Sequence, residues 1–215
     1  MNLLNRLERS FGWMAIGHLP IYIVTAQALL YVWATLNPEA THLLMLDPYA
    51  VRNGEIWRLL TFLFMIPFQN VIFTFFYLYF QYLCGTALEE EWGSFPLTIF
   101  YLVGALGAIA ASFLVGGNTQ GAFYFNETIF LAFAALYPNF TILLFFFIPL
   151  KVKWIAWFTW IHILFGLYGA PLVWKLAVFI SLANYFLFFS KRHFNQVRDV
   201  IQRYRHRQRY KDFNN

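Results

Sequence analysis

Three consecutive polar residues, Asn126, Glu127 and Thr128, interrupt an apolar segment that runs from Gly121 to Pro138. A helix of this length spans roughly 25 Å, just short of the ~30 Å hydrocarbon core of a bilayer. A carboxylate at that depth costs about 2.5–3.5 kcal/mol on the insertion scale, so it normally faces a bundle interior or a water-filled cavity and marks a functional site. Alternatively, the helix begins late and Glu127 lies near its N-terminus, where the helix dipole favours an anion.

Other side chains offer two further kinds of chemistry. Ser112 and His162 lie in different apolar segments, and a serine beside an imidazole can become a nucleophile. Glu127, together with Asn126 and Asn184, would suit a proton-linked or cation-linked transporter. No inverted repeat is visible in the sequence, however. Ser112 is also explained by helix packing, and His162 by the role of a histidine whose hydrogen bonds are satisfied inside the membrane. The sequence holds no His or Cys cluster of the kind that binds a metal, so we expect neither a metal site nor a cofactor.

The composition is that of a polytopic membrane protein. Of the 215 residues, 60% are hydrophobic, 22% are aromatic and only 12% are charged, with a mean hydropathy of +0.56. The single cysteine, Cys84, excludes an internal disulfide. We therefore predict an all-α fold: one membrane domain, residues 1–190, built as a bundle of six transmembrane helices and followed by a tail of residues 191–215.

Turn-forming residues divide the domain into six apolar segments, which we predict to be the spans. The predicted spans are residues 11–36, whose clean apolar part starts at Leu19, then 71–88, 95–115, 121–138, 152–168 and 171–189. The apolar stretch after Pro138 is too short to cross, so we predict a loop that returns through the interface. Span three carries small residues at four-residue spacing, which predicts close approach of another helix: Gly104, Ala108, Ser112 and Gly116.

The charged and interfacial segments indicate an orientation. The tail holds eight of the fifteen Lys and Arg residues, and its apolar residues recur at helical spacing, which predicts an amphipathic helix on an anionic leaflet rather than nucleic-acid binding. Twelve basic residues fall on one side of the six spans and three on the other, which places both termini in the cytoplasm. In the long first loop, Trp57 and Arg58 are typical of the interface, where a charge can snorkel. The short loops favour a bacterial inner membrane over the endoplasmic reticulum.

Several motifs occur in an order typical of one superfamily. The pair Trp57 and Arg58 stands in the long first loop, and the sequence GTALEEEWGS follows span two, with Gly85 at its start and Glu89 four residues before Gly93. We interpret residues 85–95 as a tight acidic turn. Together with IPLKVKW before span five, these motifs resemble the rhomboid superfamily, including its derlin branch, over residues 55–184.

The resemblance implies positions for the parts of a rhomboid protease. Its nucleophilic serine, at the start of span four, would fall on Asn126, with Tyr124 and Glu127 at the motif's glycines. The histidine of span six would fall on Asn184. The His-x-x-x-Asn of span two, which helps to form the oxyanion site, would fall on Phe73 and Tyr77.

Each of these substitutions removes a chemical function. An amide is not an activated nucleophile, and span six offers no imidazole to accept a proton, so the resemblance implies a pseudoprotease. Inactive rhomboid-like proteins and derlins bind transmembrane clients in quality control or trafficking. By resemblance, we expect Asn126, Glu127, Thr128 and Asn184 to line a polar cavity that engages client helices, beside short spans that thin the bilayer. An active protease that uses an unrelated pair such as Ser112 and His162 is the alternative, and a small transporter that uses Glu127 is a second one.

Overall fold

A computed structural model describes residues 8–66, 70–117, 121–144 and 148–189. The described chain is mostly helical, with one two-stranded sheet. The helices are α1 (Leu19–Leu36), α2 (Ala40–Leu44), α3 (Pro48–Arg52), α4 (Arg58–Thr61), α5 (Val71–Trp92), α6 (Ser94–Val115), α7 (Gly121–Leu136), α8 (Val152–Leu167), α9 (Leu172–Ser181) and α10 (Ala183–Phe189). The tail that we predict to bind anionic lipid, residues 191–215, lies outside the described residues.

Several helices are long and apolar enough to cross a membrane. They are α5, α6 and the stretch Glu8–Leu36, which includes α1, while α9 and α10 would form a fourth span if the bent pair is one crossing. Two more apolar helices, Phe123–Leu136 within α7 and Val152–Leu167, are shorter. A helical bundle with several potential membrane spans is therefore present, and the number of six crossings stays a prediction.

Several helix boundaries coincide with residues in the sequence that favour helix starts or ends. Helix α1 begins at Leu19, directly after His18 in the left-handed conformation (φ 57°), and Pro20 occupies its first turn, where the missing N–H costs nothing. Helix α6 lies within one residue of the predicted third span. It ends at Gly116, whose φ of 76° is a common helix-terminating conformation.

The predicted acidic turn is wrong in its extent. Helix α5 continues through Gly85 and Glu89 to Trp92, and only Gly93, with φ 89°, forms the turn into α6. The reason is local, because Ala, Leu and Glu are strong helix formers and no residue between Gly85 and Gly93 breaks the helix. Gly85 instead serves a close contact, since a Cβ there would lie 2.8 Å from the Cβ of Pro20.

Two further differences concern the second half of the chain. The returning segment forms an antiparallel hairpin of β1 (Thr141–Leu144) and β2 (Ile148–Lys151), so the described fold is not purely helical. Span six is not one helix, since α9 and α10 are bent by 54°. At the bend, the Oδ1 of Asn184 accepts the backbone N–H of Tyr185 at 2.9 Å, and a side chain that enters the backbone ladder commonly bends a helix.

Helix α7 is the centre of the bundle. It packs against α5, α6, α8 and α9, and its Thr128 contacts Asn184 of α10. Four of its large apolar side chains are each 1% exposed or less: Phe125, Ile129, Leu131 and Phe133. Helix α6 makes its most extensive contact with α9, where a Cβ on Gly107 would lie 2.5 Å from the carbonyl oxygen of Ile180. The polar residues of α7 are consequently surrounded by other helices.

Candidate functional site

The polar residues of α7 point toward three different neighbours. Successive residues of an α-helix are rotated by about 100°, so three in a row cover most of its circumference. Asn126 contacts α5, Thr128 contacts α10, and Glu127 lies beside α8. We call these three residues, with the side chains that they contact, the polar layer, because they form one polar level across the bundle.

Asn126 is buried and joined to α5. The Nε2 of Gln81 donates to the Oδ1 of Asn126 at 2.9 Å, and Gln81 is itself buried. This hydrogen bond links two helices whose sequence positions are 45 residues apart. The sequence prediction missed Gln81, although a lone glutamine in an aromatic-rich span was a visible signal.

Thr128 and Asn184 have no exposed surface. The Nδ2 of Asn184 donates to the Thr128 hydroxyl at 2.8 Å, and that hydroxyl donates to the carbonyl of Phe125 at 2.6 Å. Gly104 of α6 makes room for this contact, because a Cβ there would lie 2.6 Å from the Asn184 Nδ2 and 2.5 Å from the Phe125 ring. Both polar side chains thus form their hydrogen bonds inside the bundle and do not face an open surface.

Glu127 differs from the other two because it is only half-buried. The hydroxyl of Thr159 on α8 is the hydrogen-bonding neighbour of its carboxyl group, and Tyr77 of α5 lies within electrostatic reach. Since α7 begins at Gly121, Glu127 is well inside the helix, and the alternative of a late helix start is wrong. Glu127 therefore lies between α5 and α8, and the residue as a whole is only partly buried.

No protein-family model, curated protein or solved structure matches the chain. The rhomboid resemblance accordingly rests on the sequence motifs.

The side of α5 that faces the polar layer carries more polar groups than the sequence prediction included. Thr74, Tyr77 and Gln81 recur at a spacing of three and four residues, which places them on one face of the helix. Gln27 of α1 lies beside Tyr77 and is fully buried. Its Nε2 donates to the Leu63 carbonyl at 3.5 Å, whereas its Oε1 and the Thr74 hydroxyl find no hydrogen-bond partner within the described chain. The polar layer thus extends from α8 through α7 and α5 to α1.

The two aromatic residues at the matched oxyanion positions do not act together. Tyr77 is directed into the bundle, toward Gln27 and Glu127. Phe73, one turn earlier, is 50% exposed at the outer surface of α5. Phe73 therefore does not lie in the bundle interior beside Tyr77.

Ser112 and His162 have separate surroundings. The Ser112 hydroxyl is buried and donates to the carbonyl of Gly117 at 2.7 Å, which satisfies a backbone group at the end of α6. His162 is exposed on α8, with its ring 6.0 Å from that of Phe123. The other small residues of the row, Gly104 and Ala108, are buried, whereas Gly116 ends the helix.

The two family-like motifs outside the polar layer hold loops in place. Arg58 does not snorkel, since it is only 7% exposed, forms an ion pair with Glu55 and donates to the carbonyls of His42 and Met45. Trp57 donates its indole N–H to the Leu43 carbonyl at 3.3 Å. These contacts fold the long first loop onto itself.

Glu89, in the last turn of α5, holds the start of α1 in place. The Oε1 of Glu89 accepts the backbone N–H of His18 at 2.8 Å and the hydroxyl of Ser94 at 2.7 Å. A carboxylate that accepts a backbone N–H forms a strong, charge-assisted hydrogen bond. Glu89 consequently stabilises the left-handed conformation of His18 at the start of α1.

Proposed function

We propose that the chain is a proteolytically inactive, rhomboid-like membrane protein that binds the transmembrane helices of client proteins beside Glu127. The observation that carries the proposal is the position of this half-buried carboxylate between Tyr77 of α5 and Thr159 of α8. An ionisable group inside a membrane bundle is retained at a substantial energetic cost and normally serves a function.

The arrangement of the helices offers a client a way to reach Glu127. Helices α5 and α8 both pack on α7, but within the described chain they share no extensive interface with each other. A crevice between them would open to the lipid, with Glu127 at its base. On α8, Phe158 follows Trp157 and precedes Thr159, and its large apolar side chain is 70% exposed at the side of the crevice. Such a surface suits an apolar helix with one polar group.

The lengths of α7 and α8 support the same function. Helices α7 and α8 have 16 residues each, which corresponds to about 24 Å, whereas the hydrocarbon core is ~30 Å thick. A shortfall of this size is accommodated by local thinning of the bilayer, at fractions of a kcal/mol per Å. A client helix with polar residues would be held at lower cost in a thinned region.

The inactive state is supported by the chemistry at the matched positions. Asn126 and Asn184 are amides, and their hydrogen bonds to Gln81 and Thr128 lie in the interior. A nucleophilic mechanism needs a deprotonated hydroxyl or thiol and a base that accepts its proton. Binding without cleavage, in the quality control or trafficking of membrane proteins, is the function that remains for such a site. We place the protein in a bacterial inner membrane, with cytoplasmic termini and a tail on anionic lipid.

Photo-crosslinking tests client binding. The purified chain, with benzoylphenylalanine in place of Phe158 (70% exposed on α8), is reconstituted in vesicles with a synthetic leucine-rich transmembrane helix that carries one central glutamine. The matched control has the same probe in place of Leu29, which is 67% exposed on α1. We expect crosslinks at position 158 only, and we expect Glu127→Leu to weaken them. Equal crosslinking from both positions, or no effect of Glu127→Leu, would contradict the proposal.

A fluorophosphonate probe tests the absence of serine chemistry in the same preparation. We expect no labelling and no cleavage of a rhomboid-type transmembrane substrate. Labelling that disappears in Ser112→Ala would replace the client-binding function with that of an active protease.

A further inference from the structure

We propose that the client feature recognised at this site is a basic side chain, lysine or arginine, near the middle of its transmembrane helix. This inference rests on the proposed function, because it specifies which clients the crevice between α5 and α8 accepts. It follows from the charge balance around Glu127 and from the hydrogen-bonding capacity that its neighbours leave unused.

No basic group of the described chain compensates Glu127. Its surroundings are the apolar interior and the Thr159 hydroxyl, with the Tyr77 phenol nearby. The salt bridge found among the described residues joins Arg58 to Glu55 in the first loop. An ionised carboxylate in an apolar environment is stable only when a cation or several donors compensate it. Within the described chain, the Glu127 carboxyl therefore lacks a compensating cation, which a client would supply.

The acceptor positions of the Glu127 carboxylate favour the same partner, a lysine or arginine side chain. An ionised carboxylate has about four acceptor positions, and the two neighbouring hydroxyls can fill at most two of them. Glu127 is only half-buried, and in the proposed binding mode its exposed part faces the crevice, where a client supplies the remaining donors. A lysine ammonium supplies three donors, and an arginine guanidinium matches a carboxylate with two parallel hydrogen bonds. A glutamine side chain offers donors without charge, and a glutamate would be repelled.

Pairing with Glu127 also lowers the free energy of a client helix that carries a basic residue in the membrane. Lysine and arginine are among the residues that are least favourable at the centre of a transmembrane helix. A helix with such a residue therefore has a strong preference for any site that neutralises it within the membrane. The expected order of binding is lysine or arginine first, then glutamine, then leucine, with glutamate last.

Four synthetic helices, identical except for a central lysine, glutamine, leucine or glutamate, test this order in vesicles. With the photo-probe in place of Phe158, we expect the lysine helix to crosslink at least five-fold more than the leucine helix. Glu127→Gln should reduce the lysine helix to the level of the glutamine helix. Glu90→Gln is the matched control, because Glu90 is an exposed carboxylate at the end of α5, and it should leave the order unchanged.

Charge reversal provides a second, independent measurement. The variant Glu127→Lys should prefer the glutamate helix over the lysine helix. If this variant does not fold, the Glu127→Gln comparison still decides the question.

The possible failures are distinguishable. Equal crosslinking of all four helices at position 158, above the level at position 29, would overturn charge selection and leave client binding intact. Crosslinking no stronger at position 158 than at position 29, for every helix, would overturn both. A lysine preference that survives in Glu127→Gln would overturn the role of Glu127.

Discussion

Replacement of Asn184 by alanine should destabilise the bundle more than any other loss of a single polar group in the polar layer. The side chain has no exposed surface, donates to the Thr128 hydroxyl at 2.8 Å and accepts the N–H of Tyr185 at 2.9 Å. The alanine variant leaves that N–H without its side-chain acceptor at the bend between α9 and α10.

The magnitude follows from these contacts. A buried donor that loses its partner costs about 1–3 kcal/mol. The Thr128 hydroxyl keeps its bond to the Phe125 carbonyl, so it adds little to the penalty. We therefore expect Asn184→Ala to lower the free energy of unfolding by about 2 kcal/mol. In a chain of this size, that corresponds to a decrease in Tm of about 4–8 °C.

A double-mutant cycle isolates the hydrogen bond between Asn184 of α10 and Thr128 of α7. The second variant is Thr128→Val, which preserves the shape of the side chain and removes its hydroxyl. Interhelical hydrogen bonds in membranes have coupling energies of about 0.6 kcal/mol on average and up to about 1.7 kcal/mol, and we expect a value in this range. Unfolding of the purified protein in detergent micelles supplies all four stabilities.

Asn37→Ala is the control, since Asn37 is exposed and donates to the Trp33 carbonyl at 3.2 Å. That variant should change stability by no more than about 0.5 kcal/mol. If Asn184→Ala is as mild as Asn37→Ala, or if the cycle yields no coupling, the reasoning about the polar layer is refuted.

Two further perturbations test the close contacts and the capping of the bundle. Gly107→Ala should lower the free energy of unfolding by about 1–3 kcal/mol, because the new Cβ would clash with the backbone carbonyl of Ile180, which cannot move aside as a flexible side chain can. The control is Gly17→Ala, whose Cβ meets no atom within 4 Å. Equal melting temperatures for the two variants would contradict the packing. Glu89→Ala should make the amide of His18 exchange with solvent about ten-fold faster, since its acceptor is lost, and unchanged hydrogen exchange there would show that Glu89 does not hold the start of α1.

The sequence was sufficient for features that depend on local composition. Long apolar runs predicted α1, α5 and α6, and helix breakers such as Asn37 and Gly116 predicted where two of them end. The extent of the acidic turn was predicted wrongly because charge suggested a loop, whereas the residues before Gly93 are good helix formers. The hairpin between α7 and α8 was predicted only as an irregular loop, since strand pairing depends on a register that hydropathy does not specify.

The sequence by itself identified Asn126, Glu127 and Thr128 as polar residues within an apolar segment, and it left open whether Glu127 lies in the bundle interior or near the start of the helix. Only the tertiary structure decided their roles. Asn126 and Thr128 form hydrogen bonds with Gln81 and Asn184, which are 45 and 56 positions away in the chain, and Glu127 is the least buried of the three. The physical reason is that a helix distributes successive side chains around its axis, while the order in which neighbouring helices surround that axis depends on long-range packing.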